Sequence, residues 1–127
     1  MPRPKSEKVR LSVFKGREAI LNWVIFQVLG LKAPLAIYEI CKRIKAKTGL
    51  KHVKYTNINR RVRALCDSGY LEKVGTRKTQ AGFQANLYKM TSRAHLAIIL
   101  NELNLDDFIQ TANEEQMDAV MAALMKS

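Results

Sequence analysis

The stretch Tyr55-Thr56-Asn57-Ile58-Asn59-Arg60-Arg61-Val62-Arg63-Ala64-Leu65 gathers side chains that hydrogen-bond base edges and phosphate oxygens. Advancing about 100° per residue from Ile58, Val62 and Leu65 stay within roughly 40° of it, whereas Thr56, Arg60 and Arg63 fall roughly 140° to 200° away. Asn57 and Asn59 flank that outward face. Arg offers a fork to guanine, Asn offers a donor and an acceptor to adenine, and a helix is the element that fits a major groove. Ala64 permits close approach, and Arg61 points sideways, where it suits a phosphate better than a base. A merely solvated helix face is the bland alternative, but the only outward acid is Asp67, at the far end. Lys51 and Lys54 precede this helix where phosphates would flank a groove. After it, Gly75-Thr76-Arg77-Lys78-Thr79-Gln80-Ala81-Gly82 reads as a polar hairpin tip carrying Arg77 and Lys78, suited to a DNA backbone or minor groove. The candidate DNA-binding set is therefore Lys51, Lys54, Thr56, Asn57, Asn59, Arg60, Arg61, Arg63, Arg77 and Lys78.

Other chemistry finds little support. His52 and His95 have no acid or thiol close in sequence, so neither reads as a general base or a metal ligand. Cys41 and Cys66 are too far apart for a CxxC clip, lack a histidine pair to complete a zinc set, and sit beside apolar positions as packing residues. Gly75 and Gly82 do not frame the lysine and hydroxyl residue of a phosphate-binding loop. No catalytic centre, metal or cofactor is expected.

The charge is segregated. Residues 1–93 hold 21 basic and 5 acidic residues, and residues 94–127 hold 1 basic and 6 acidic, giving net charges of +16 and −5 within an overall +11. A split this sharp implies one surface that meets a polyanion and another that faces away from it. No apolar run approaches the roughly 20 residues that cross a bilayer, and no secretory leader is evident, so the expected compartment is the cytoplasm. With 127 residues, 47% of them hydrophobic, the chain buries a core without disulfides or metals.

The elements that must position these residues follow from periodicity. Met1 to Arg10 mixes prolines with basic residues and reads as a mobile basic arm, and Val9, Leu11 and Val13 alternate as a short extended segment. Arg17 to Leu29 predicts a helix apolar around most of its circumference, through Ile20, Leu21, Trp23, Val24, Ile25, Phe26 and Val28, with Gly30 as its cap. So small a domain would not enclose such a helix alone, which points part of it at a second copy. Ile37, Ile40, Cys41 and Ile44 mark a second helix ending near Thr48-Gly49, and Tyr55 to Ser68 a third stopped by Gly69. Tyr70 to Val74 and Phe83 to Met90 read as the strands of a hairpin. Thr91 or Ser92 caps a fourth helix whose Leu96, Ile99, Leu100 and Leu103 form its apolar face. Asp106 and Asp107 open a helical turn, and Asn113 with Gln116 starts a last helix lined by Met117, Val120, Met121 and Leu124.

Helix, helix, helix, hairpin, helix is the order that a winged helix-turn-helix requires. Two segments carry a closer likeness. Leu65-Cys66-Asp67-Ser68-Gly69-Tyr70-Leu71 resembles the passage from recognition helix through a capping glycine into the first wing strand, and Leu87-Tyr88-Lys89-Met90-Thr91 resembles the return strand and the next helix cap. Over residues 17–103 the chain resembles the winged helix regulators, nearest to small archaeal and bacterial MarR-like and PadR-like proteins. The expected fold class is mainly α with a small β-hairpin wing (α+β), plus additional C-terminal helices. The expected organisation is a basic arm over 1–16, a winged helix domain over 17–103 and an acidic helical extension over 104–127 for dimerisation. The resemblance implies a homodimeric, sequence-specific regulator of transcription that binds double-stranded DNA, with a recognition helix over 55–68 and a wing over 75–82. An architectural DNA-coating protein and a protein-interaction module are the competing readings; RNA is disfavoured because its deep groove does not admit a helix.

Overall fold

The structure, a computed structural model, describes residues 11–47 and 49–126. The basic arm expected up to Arg10, with Val9, lies outside the described residues. Leu11 to Phe14 is not the expected extended segment: Ser12–Phe14 forms a 3-10 turn that drives Val13 and Phe14 into the core. The Phe14 ring meets Trp23 edge-on at 5.4 Å and Phe26 at 5.9 Å, so the core reaches back ahead of the first helix.

That helix, α1 (Ala19–Leu31), is enclosed by its own chain. Val24, Ile25, Phe26, Val28 and Leu29 are buried, and Ile25 and Phe26 pack with essentially no exposure. The 3-10 turn, the next two helices and the sheet surround it, which removes the expected need for a second copy there; Ile20 and Leu31 alone among its large apolar residues stay exposed. Gly30 is not a cap. The helix runs through it to Leu31, and the exit is made by extended Lys32, whose N–H still donates to Val28 O at 3.1 Å.

Beyond Pro34 comes β1 (Leu35–Ala36), a two-residue strand too short to show as a period, followed directly by α2 (Ile37–Lys45) and α3 (Tyr55–Asp67). Leu50 and Val53 of the intervening turn pack against the core, which includes Ile40, Ile44, Ile58, Val62 and Leu65. Burying each of those fully enclosed aliphatic side chains contributes about 1.5–3 kcal/mol. The hairpin is β2 (Leu71–Lys78) and β3 (Gln84–Met90), and the antiparallel sheet has the order β1-β3-β2. The first wing strand runs further than expected: Gly75, Thr76, Arg77 and Lys78 belong to β2, not to a loop, because the ladder resumes after a bulge at Val74, between the pairs Lys73 with Tyr88 and Gly75 with Leu87. Only residues 79–83 turn the chain, closed by Thr79 N to Phe83 O at 2.6 Å and Phe83 N to Thr79 Oγ1 at 3.1 Å.

Three C-terminal helices complete the α+β chain: α4 (Ser92–Glu102), α5 (Leu105–Thr111) and α6 (Glu114–Met125). Thr91 caps α4 by accepting from Ala94 N, and Asn113 and Gln116 form the expected reciprocal box at α6. The face that α4 turns to the body is not the leucine stripe. Ala94 and Ala97 are buried and Ile98 is half-buried, because small residues let the helix approach β3 closely, and Leu96, Ile99 and Leu100 remain exposed. Neither α5 nor α6 buries a residue. No helix among the described residues is long and apolar enough to cross a membrane.

Candidate nucleic-acid interface

α3 is held by its apolar side. Ile58, Val62 and Leu65 are buried to within 1% of full enclosure, which fixes the roll of the helix and turns Thr56, Asn57, Arg60 and Arg63 outward. Its end is sharp. Gly69 takes φ +84°, Tyr70 N–H donates to Leu65 O at 2.8 Å, and Gly69 N–H to Cys66 O at 3.0 Å, the hydrogen-bonding of a Schellman stop. Thr91 then ties this corner to α4, donating from Oγ1 to Gly69 O at 2.6 Å while its N–H reaches Tyr70 O at 3.0 Å. Helix and wing therefore leave one rigid corner.

The outward face is ordered along its own surface. Arg60 Nη2 donates to Asn57 Oδ1 at 2.7 Å, one turn back, and Arg63 Nε donates to Asn59 Oδ1 at 3.2 Å. Each asparagine thus accepts from an arginine with one lone pair of its carbonyl oxygen, and the second lone pair and the amide N–H groups stay available to a base edge. Thr56, Asn59, Arg60, Arg63, Ala64 and Asp67 line one open groove, so four of the candidate DNA-binding residues on this helix share a surface. Lys51 and Lys54 are exposed in the turn ahead of α3, and Lys78 is exposed as the last residue of β2.

Two arginines stand apart from that surface. Arg61 turns inward, where its Nε donates to Asn22 Oδ1 at 3.0 Å and lies 3.8 Å from Glu18 Oε2. Asn22 is 3% exposed and donates in turn to Val13 O at 2.8 Å, so one side chain joins the 3-10 turn, α1 and α3. Arg77 Nη1 meets both carboxylate oxygens of Glu39 on α2, at 2.8 and 2.9 Å. Glu39 Oε1 also accepts the Ala36 N–H at 3.0 Å, in the first turn of α2. Sequence reasoning passed over Glu39; an acid at the third position of a helix signals a cap, and its reach to the wing has no local signal.

The residues set aside for catalysis stay apart. His52 and His95 are exposed on different elements, Cys41 is buried among apolar neighbours, and burial, with the nearby Asp67 carboxylate, pushes the Cys66 thiol pKa up. Among the described residues no group of three His, Cys, Asp or Glu side chains is placed to hold a metal ion.

No protein-family model and no curated protein sequence matches the chain. Solved structures do. A PadR-like transcriptional regulator from Bacillus cereus aligns with a TM-score of 0.52 at 14% identity, over 87% of this chain and 95% of that one. A putative transcriptional regulator from Thermoplasma acidophilum aligns at 0.50 and 18% identity, over 76% of this chain and all of that one. PadR of Bacillus subtilis, solved in complex with operator DNA, aligns at 0.52 and 20% identity, over 86% of this chain and 69% of that one. At these identities the likeness is one of fold, and the fold is a winged helix-turn-helix with added C-terminal helices.

Proposed function

We propose that this winged helix protein is a cytoplasmic, sequence-specific transcriptional regulator that binds double-stranded DNA as a homodimer and has no catalytic role. The observation that carries the reading is the face of α3: Thr56, Arg60 and Arg63 stand opposite the enclosed Ile58, Val62 and Leu65 and line one open groove with Asn59. A helix set this way enters a major groove with its arginines toward base edges, and Lys51, Lys54 and Lys78 supply phosphate contacts around it. The net +16 of residues 1–93 gives the affinity that does not depend on sequence. A regulator of similar fold solved with operator DNA supports the same reading.

Dimerisation rests on the apolar surface that the protomer leaves open. Leu96 and Ile99 on α4, Leu105 and Ile109 on α5, and Val120 and Met121 on α6 are each at least 44% exposed. Large apolar side chains left open on three successive helices support an interaction site there. A second copy covering it keeps the acidic extension over 104–127 off the DNA and presents two recognition helices on one basic side. The preferred site is then palindromic, with half-sites about one helical turn, roughly 10 base pairs, apart.

Selection of bound duplexes from random sequence tests the reading: a regulator enriches one palindrome. The charge excess favours one other outcome, an architectural protein, which would retain DNA without enriching any sequence.

A further inference from the structure

We propose that Glu39 and Arg77 form a clasp that positions the wing, so that Arg77 acts through Glu39 and not as a phosphate contact. This rests on the DNA-binding reading above and revises the role of one residue within it. The bond is the tightest ion pair among the described residues: Arg77 Nη1 lies 2.8 Å from Glu39 Oε1, against 3.3 Å for Lys89 with Glu72 and 3.8 Å for Arg61 with Glu18. Its two ends belong to different parts of the reader. Arg77 stands beyond the bulge on β2, opposite Ala85, in the outer part of the hairpin where the sheet has no third strand. Glu39 stands in the first turn of α2, fixed from behind by the Ala36 N–H, and Ala36 is itself paired with Leu87 of β3.

The outer wing would otherwise hang on its own ladder, since β1 supports β3 only at Leu87 and Tyr88. The clasp ties it to the helix-turn-helix and sets its angle to α3. It also settles the charge. Glu39 cancels Arg77, and handing Arg77 to a phosphate would leave a carboxylate facing the polyanion, so the sequence-independent contact of the wing falls to Lys78.

The two roles predict opposite signs for one variant. E39Q removes the charge but keeps an oxygen for the Ala36 N–H. If Arg77 is a phosphate contact partly silenced by Glu39, E39Q frees it and tightens binding. If the pair is a clasp, E39Q and R77A each weaken binding to the selected duplex about two- to fivefold, the span for an exposed pair, and E39Q/R77A is no weaker than either alone. The salt dependence of binding stays at the wild-type slope in R77A and falls by about 0.9 in K78A. Hydrogen exchange on the full chain without DNA reads the clasp independently: amides of residues 76–78 and 84–86 exchange faster in E39Q while those of α1 do not. Tighter binding by E39Q, a lower salt slope in R77A, or unchanged exchange in the outer wing overturns the clasp. Faster wing exchange in a protein that retains no duplex would instead uphold the clasp and overturn the DNA-binding reading.

Discussion

Replacing Asn22 by alanine separates a structural role for Arg61 from a nucleic-acid role. Asn22 is the buried polar residue of the described core, with both ends of its amide in use: Nδ2 to Val13 O at 2.8 Å and Oδ1 from Arg61 Nε at 3.0 Å. A neutral hydrogen bond contributes about 0.5–1.5 kcal/mol and one to a charged group about 1.5–3, so Asn22→Ala is expected to cost roughly 2–4 kcal/mol. For a chain of this size that lowers the melting temperature by on the order of 10 °C. Arg61→Ala removes the charged bond together with the weak 3.8 Å pair to Glu18 and leaves Asn22 Oδ1 without its donor, a loss of about 1.5–3 kcal/mol. The double variant should fall within about 1 kcal/mol of Asn22→Ala, because the second change removes a bond already gone and only the weak pair with Glu18 besides. Urea unfolding followed by circular dichroism gives the three values, and salt titration of duplex binding gives the slope for Arg61→Ala, expected to equal that of the wild type. Additive losses, or an Arg61→Ala protein of unchanged stability with a reduced salt slope, would refute the assignment and return Arg61 to the phosphates.

Three further outcomes are expected. Arg60→Ala and Arg63→Ala should each cost about 1–3 kcal/mol on the selected site and less on random DNA, measured by competition binding; equal losses on both would make them phosphate contacts. Ile99→Asp with Met121→Asp, each replacing a side chain more than half exposed in the protomer, should convert a dimer to a folded monomer by light scattering, and a wild-type protein that is already monomeric at micromolar concentration sinks the dimer. The Cys66 thiol, whose pKa is raised by burial and by Asp67, should alkylate more slowly near pH 8 than a free cysteine, with its rate profile displaced to higher pH; a rate and profile equal to those of a free cysteine would mean that the corner of α3 opens.

The position and outer face of α3 were legible from its residues because three independent signals agree on them: the stripe Ile58, Val62, Leu65, the stop at Gly69, and an outer face without acids until Asp67. Where a single signal served, the structure departs from it. Gly30 looks like a cap, but the helix leaves through an extended Lys32 and has no use for a left-handed residue. The leucine stripe of α4 looks like a core face because it is large, yet contact distance favours Ala94 and Ala97 against the sheet. β1 has no periodicity to read in two residues, and Gly75 suggested a loop at a place where a bulge continues the strand. The partners of Arg61 and Arg77 lie 39 and 38 positions away, outside any local pattern. Helix-wheel geometry reports the direction in which a side chain leaves its helix, and long-range contacts decide what it meets.

The bulge at Val74 has a bearing on how this family of shapes can vary in length. Side chains along a strand alternate between two sides, and the bulge takes up the single extra residue between Lys73 and Gly75 outside the pairing. Shortening the turn at 79–83 by one residue leaves that pairing alone. Deleting Val74 only straightens the ladder: Lys73 and Gly75 become neighbours opposite Tyr88 and Leu87, and Arg77 stays opposite Ala85 on the side it already has. A residue lost at the tip or at the bulge therefore leaves the same sides of the wing presented, whereas one lost within 75–78 shifts the pairing beyond it by one and turns those side chains to the other face.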